Sequence, residues 1–221
     1  MTALHETAYP RLKSQPTPED LVTVYTPNQE ELELVRSQTR QPTARLGFMV
    51  LLKTFQRLGY FVPIAEVPEA ILNHLMTCLE LKSQAAPLEN YDTSGTRQRH
   101  LKSIRDFLGI TPVSDTTLEF LKSALREAAT TKDEIPDIIN VGLESMAKAR
   151  YELPAFGTFV REAKAARAQV NRELFEAVYH DLSESAKTRI QEVLTPTTKT
   201  SQSKSLWDLI KQEPRKPTVS N

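Results

Sequence analysis

Four histidines (His5, His74, His100 and His180) and a single cysteine, Cys78, are the side chains of this sequence that could ligate a metal or act as a nucleophile. The histidines stand singly. His74 and Cys78 lie one helical turn apart and could face the same ion, but a structural zinc site takes four ligands. A pair without further partners reads as ordinary packing. No Gly-rich phosphate loop of Walker or dinucleotide-binding spacing occurs. Acids such as Glu30, Glu31 and Glu33 sit where a solvated helix face would carry them. The residues therefore predict no catalytic constellation, no metal, no cofactor and no small-molecule substrate for this chain by itself.

Positive charge is the more informative chemistry. Formal net charge is zero, with 28 basic and 28 acidic residues in 221, so any signal for nucleic acid must lie in distribution. Between Leu34 and Ala65 the chain carries Arg36, Arg40, Arg45, Lys53 and Arg57 and no acid. Thr93 to Arg105 holds Arg97, Arg99, Lys102 and Arg105, again without an acid. Arg161, Lys164, Arg167 and Arg172 follow against a single Glu162. Three such stretches could form a stripe along DNA phosphates; each alone could equally be the solvated face of an amphipathic helix.

The third stretch has the sharpest geometry. At about 100° per residue, Phe156, Phe159, Val160, Ala163, Val170 and Leu174 share one side of a helix. Thr158, Arg161, Ala165, Ala168 and Arg172 share the other. Small residues there would let the backbone approach a groove while arginines reach phosphates or guanine edges. Arg167 falls inside the apolar arc, which calls for an acidic partner or a bend. On the second stretch, Leu101, Ile104 and Leu108 turn inward and leave Arg99, Lys102 and Arg105 outward, with His100 buried at the flank.

The elements that must position these residues are helical. Residues 1–17, with Pro10 and Pro16, read as a flexible arm. Thr17 caps a short helix that has Pro18 at its first position, and another helix starts around Asn28. Pro42 to Tyr60 is apolar nearly all round, as in a helix central to its domain, and Gly59 ends it. Pro68 opens a further helix. Residues 82–92, polar and carrying Pro87, mark a boundary. Helices follow over about 94–108, 115–130 and 133–150. Leu153-Pro154-Ala155 then turns the chain into a long helix through about Leu182, and a last helix spans 183–194. The 133–150 helix, the turn and the long helix have the layout of a helix-turn-helix. Residues 195–221 read as a linker with one apolar island at Leu206-Trp207-Asp208-Leu209-Ile210. The expected fold is all-α. A first helical subdomain spans 18–82, and a second, 93–194, contains the helix-turn-helix-like unit. No run is long enough for a bilayer span, which points to a cytoplasmic chain, nucleoid-associated when on DNA.

Arg45-Leu46-Gly47-Phe48 and the later Leu58-Gly59-Tyr60-Phe61, preceded by Thr17-Pro18-Glu19-Asp20-Leu21, resemble the N-terminal region of Tn-three family transposases. Arg99-His100-Leu101 with Ile104-Arg105 and Leu108-Gly109 resembles that family's second motif. Leu153-Pro154-Ala155 with Thr158 and Asn171-Arg172 is similar to a third. The run Lys53-Thr54-Phe55-Gln56-Arg57 departs from the usual pattern. The resemblance implies binding to the terminal inverted repeats of a replicative transposon. It also implies that metal-dependent strand transfer belongs to a later ribonuclease-H-like domain which this chain is too short to hold. Pro214-Arg215-Lys216-Pro217 resembles the linker into the next region, so the chain is expected to be a fragment or a stand-alone relative.

The expected partner is thus double-stranded DNA, contacted by Arg40, Arg45, Arg57, Arg97, Arg99, Lys102, Arg105, Thr158, Arg161, Lys164 and Arg172. Self-association is a second expectation. The alternatives are a helical protein-interaction module, with the segment around Trp207 docking a partner, and a stand-alone regulator of transposition.

Overall fold

A computed structural model describes residues 4–81 and 88–195. The described residues are helical, without a strand; one isolated bridge joins Thr111 to Tyr151. The Leu206–Ile210 island and Pro214–Pro217 lie outside them, as does most of the expected boundary at 82–92.

The helices begin and end where local chemistry dictates. Thr17 caps α1 (Pro18–Asp20), its side chain accepting from the Asp20 amide while Asp20 reaches back. The chain continues as a π-helical turn over Leu21–Tyr25. Asn28 and Glu31 form the same reciprocal box at the start of α2 (Gln29–Gln38). Helix α3 (Pro42–Leu58) opens on a proline, with no side-chain cap from Gln41, and closes at Gly59, whose φ of 75° is left-handed. After α4 (Glu69–Cys78), Ser94 caps α5 (Gly95–Leu108), which stops at Gly109 with φ 63°. Three longer elements and a last short one follow: α6 (Asp115–Ala129), α7 (Ile135–Lys148), α8 (Phe156–Asp181) and α9 (Glu184–Leu194).

Packing separates two compact units, Met1–Ala168 and Gln169–Asn221. The division falls inside α8. In the first unit α3 is the central element. Its residues Phe48, Met49, Val50, Leu51 and Leu52 have no solvent exposure and share one core with Val35 of α2, Ile71 and Leu75 of α4, and Leu101 and Ile104 of α5. Helix α6 packs on α7 through Leu121 and Leu125. A Cβ on Gly142 would stand 2.6 Å from the Leu125 side chain, so glycine sets that close approach.

From Ala8 onward the N-terminal arm makes specific contacts. Tyr9 is buried, donates its hydroxyl to the Pro154 carbonyl at 3.0 Å and packs against Tyr60, Phe156 and Phe159. Ala8 donates its amide to the Asn140 side chain and Tyr60 donates to the Pro10 carbonyl. Prolines break helices, but they do not prevent an extended strap from burying an aromatic ring.

In the second unit the expected apolar arc of α8 does not continue inward. Leu174 is 56% exposed, and Phe175, Val178 and Tyr179 are exposed beside it.

Candidate nucleic-acid interface

The sequence motifs meet one another. Gly47 of α3 lies under the Tyr91 ring, where a Cβ would come within 2.5 Å. Tyr91 in turn places its hydroxyl 2.6 Å from Nδ1 of His100 on α5, and Phe48 packs edge-on against that imidazole. Burial, then the neighbouring Arg99 charge, lowers the His100 pKa to about 4, so the ring is neutral at pH 7. A second junction joins the Leu58–Phe61 part of the first motif to the third. Leu153 donates its amide to the Gly59 carbonyl at 2.8 Å and lays its side chain on that glycine, while Tyr9 holds the following Pro154. Much of the motif pattern is thus a set of internal clasps.

Those clasps carry basic residues to separate places. Arg40, on the loop before α3, and Arg99 of α5 line one polar groove of about 510 Å³, together with Gln38, Gln41, Ala44, His100 and Ser103. Ser103 donates to the Gln38 side chain at 3.1 Å. Lys102 is exposed on α5. Arg45 is half-buried, and its Nε is sealed from solvent with no partner among the described residues. Arg57 is exposed and lines a different, mostly apolar cavity of about 410 Å³ beside Gly59, Ile110, Arg150 and Leu153.

Two arginines are turned inward instead of outward. Arg105 bonds Glu152 at 2.8 Å, and its guanidinium sits over the Phe61 ring at 5.1 Å. Arg97 bonds Asp92 at 3.1 Å and reaches the Val62 carbonyl. The outward placement expected for Arg105 is therefore corrected: Glu152 is distant in sequence, and only the fold shows that it waits beside α5. Lys53 is buried and bonds Glu31 at 3.2 Å, with Gln56 donating to the same carboxylate. Arg167 does find its acid: it pairs with Asp133 and donates to the Ala129 carbonyl at 2.9 Å.

On the first half of α8, Phe159, Ala163 and Ala166 are buried, while Arg161, Lys164, Ala165 and Ala168 are exposed and Thr158 is half-exposed. Arg161 pairs with the adjacent Glu162 at 2.8 Å and remains 68% exposed. Arg172, exposed, belongs to the second unit. The connection from α7 to α8, Ala149–Ala155, is longer than a helix-turn-helix turn and is fixed by bonds between Thr111 and both Arg150 and Glu152.

Residue-type reasoning did not single out three groups that line these cavities: Ala44, Gln41 as a non-capping N-cap, and Arg150. Arg150 has a left-handed backbone at φ 55° and donates to the Leu108 carbonyl. A proline at the first turn of α3 without a capping residue before it was the available signal for the first two.

His74 and Cys78 do meet, with Sγ 3.6 Å from Nε2, but the Thr26 hydroxyl is also 3.0 Å from that nitrogen. No group of three or more metal-ligating side chains occurs among the described residues. Nor is any described helix long and apolar enough to cross a membrane.

The chain is similar to the transposase for transposon Tn501 of Pseudomonas aeruginosa, at 29% identity over 90% of this chain and 20% of that protein. Similarity to the transposase for transposon Tn1546 of Enterococcus faecium is 25% over 91% of this chain and 20% of the relative. The transposase for transposon Tn21 of Escherichia coli matches at 25% over 90% of this chain. The chain spans about a fifth of the length of these relatives and is transposase-related along nearly all of its own. The profile described as a domain of unknown function, DUF4158, covers residues 1–166, and the chain belongs to that family.

Proposed function

We propose that this chain binds double-stranded DNA at the terminal inverted repeats of a transposon, as the N-terminal part of a transposase whose strand-transfer chemistry lies elsewhere. The observation that carries the reading is the first half of α8. One side is sealed by Phe159, Ala163 and Ala166, and the other offers Arg161 and Lys164 among small alanines. A helix with that profile can approach a groove closely and place guanidinium groups on phosphates or guanine edges. In this reading α7 and α8 act as a helix-turn-helix-like pair with an extended connection, and Arg40, Arg57, Arg99 and Lys102 set register on the backbone. Arg97 and Arg105 support the unit from inside.

Gel retardation with repeat-bearing and scrambled duplexes at fixed salt tests this. Arg161→Gln should cost about 1–3 kcal/mol on the repeat and narrow the gap between the two duplexes if it reads a base. Equal affinity of the unaltered chain for both duplexes would overturn base reading.

A second reading, a protein-interaction module, rests on the second unit. Leu174, Phe175, Val178 and Tyr179 of α8 and Ile190 and Leu194 of α9 are exposed there. Self-association through that surface predicts a concentration-dependent mass in sedimentation that Phe175→Glu abolishes.

A further inference from the structure

A polar groove lies at the start of α3. Helix α3 is 17 residues long, and Gln41 provides no side-chain bond to its first amides. Pro42 has no amide hydrogen, and the Arg45 amide bonds Gln41, so the Thr43 and Ala44 amides are the uncapped donors of this end. Ala44 lines the groove. An uncapped helix start with its partial positive charge is an anion site in waiting, but by itself it is only a helix end.

His100 supplies an independent observation. The residue is only 5% exposed, and its ring lines the same groove. Nδ1 is occupied by the Tyr91 hydroxyl, whereas Nε2 has no hydrogen-bond partner among the described residues. A buried tyrosine hydroxyl needs an acceptor. The Tyr91 hydroxyl has none other than Nδ1 among the described residues, so it donates there. With Tyr91 donating to Nδ1, the neutral imidazole carries its proton on Nε2, on the side of the ring away from Tyr91. Arg40 and Arg99 stand on the walls; Arg99 donates to the Thr96 hydroxyl at 3.1 Å, and neither arginine forms an ion pair with a carboxylate among the described residues. No acid lines the groove.

We propose that this groove is a phosphate site, in which a phosphoryl oxyanion takes the Ala44 amide and His100 Nε2–H from below and the Arg40 and Arg99 guanidinium groups from the sides. The source in the reading above is a backbone phosphodiester of DNA, and to that extent the proposal rests on that reading; an inorganic phosphate offers the same oxygens. Tyr91 is then a positioning residue, because it fixes which imidazole nitrogen donates.

The test uses the full chain, the Arg40→Gln/Arg99→Gln double variant, Tyr91→Phe, and, as a control, Lys148→Gln at an exposed position of α7. Inorganic phosphate is titrated while the Thr43 and Ala44 amide resonances are followed. Separately, a labelled duplex is titrated at several salt concentrations. The proposal expects saturable shifts at both amides that disappear in the double variant and weaken in Tyr91→Phe. Duplex affinity should fall several-fold in the double variant, with the log–log salt slope shallower by about 2, one contact per arginine. Lys148→Gln should change neither. If the chain binds duplex but the double variant keeps its affinity, its slope and its phosphate response, the groove proposal fails and DNA binding stands. If phosphate shifts the amides but no duplex binds at low salt, the groove is a free-phosphate site and the DNA reading fails. If neither ligand has an effect, both fall.

Discussion

Lys53 belongs to an acid-free run of the sequence, yet it points into the protein and not toward a ligand. It meets Glu31 of α2 at 3.2 Å, and both are almost wholly buried; Gln56 and the Asn28 amide donate to the same carboxylate. Removing one partner of a buried pair strands the other charge, which outweighs the modest net worth of the pair. Lys53→Met should therefore destabilise the chain by about 3–5 kcal/mol in urea unfolding. Lys53→Met combined with Glu31→Leu should recover most of that loss. A single-variant cost below about 1 kcal/mol would mean that the carboxylate is satisfied without the lysine. His100 gives a pH-dependent counterpart. Its pKa is lowered from 6.5 in the unfolded chain to about 4 in the fold, so unfolding takes up a proton between those values. The contribution is complete above pH 6.5 and is lost as pH falls toward 4. Compared with His100→Gln, the unaltered chain should lose up to about 3 kcal/mol more between pH 7 and pH 4. Parallel pH profiles would show that the imidazole is not held neutral by its site.

At the level of elements, what was legible in the sequence was local. Thr17 as a cap, helix starts near Asn28 and Ser94, and Gly59 and Gly109 as stops follow from backbone groups that need partners within a turn; that Asn28 and Ser94 themselves cap is seen in the fold. The inward face of α5 and the core position of α3 follow from periodicity. What was not legible depends on partners far along the chain. Arg105 meets Glu152 47 positions away, and Tyr9 meets Pro154 145 positions away. Neither composition nor spacing contains those distances. For the same reason the sequence places Arg97 and Arg105 with the DNA-facing residues, whereas the fold uses them as struts. The glycines of the motifs make the element scale testable. Gly47→Ala would drive a methyl group into the Tyr91 ring on both sides of its Cζ atom, within 2.5–2.9 Å. A cost of about 1–3 kcal/mol is expected, since the ring that His100 holds by its hydroxyl must shift. Gly95→Ala, in open space at the first turn of α5, should be neutral or slightly stabilising. Thermal unfolding of the two variants side by side would check this, and equal behaviour would remove the clasp from the account.

Across the described residues, the basic side chains stand in several settings. Arg40 and Arg99 share a groove, Arg57 lines another cavity, and Arg161 and Lys164 ride on α8. Net charge is zero, so no long-range attraction of the whole chain draws it to a polyanion. Binding must come from short-range contacts, each releasing counterions where a cation meets a phosphate. That makes salt dependence the most direct probe of the central claim. Anisotropy of a labelled duplex carrying a transposon terminal repeat should be titrated with the full chain from about 50 to 200 mM salt. If Arg40, Arg57, Arg99, Lys102 and Lys164 all meet phosphates, log affinity should fall with a slope of about −4 to −5 against log salt. The repeat should bind more tightly than a scrambled duplex at every point. No binding at the lowest salt, or an affinity indifferent to both salt and sequence, would contradict the claim that this chain is a DNA-binding part of a transposase.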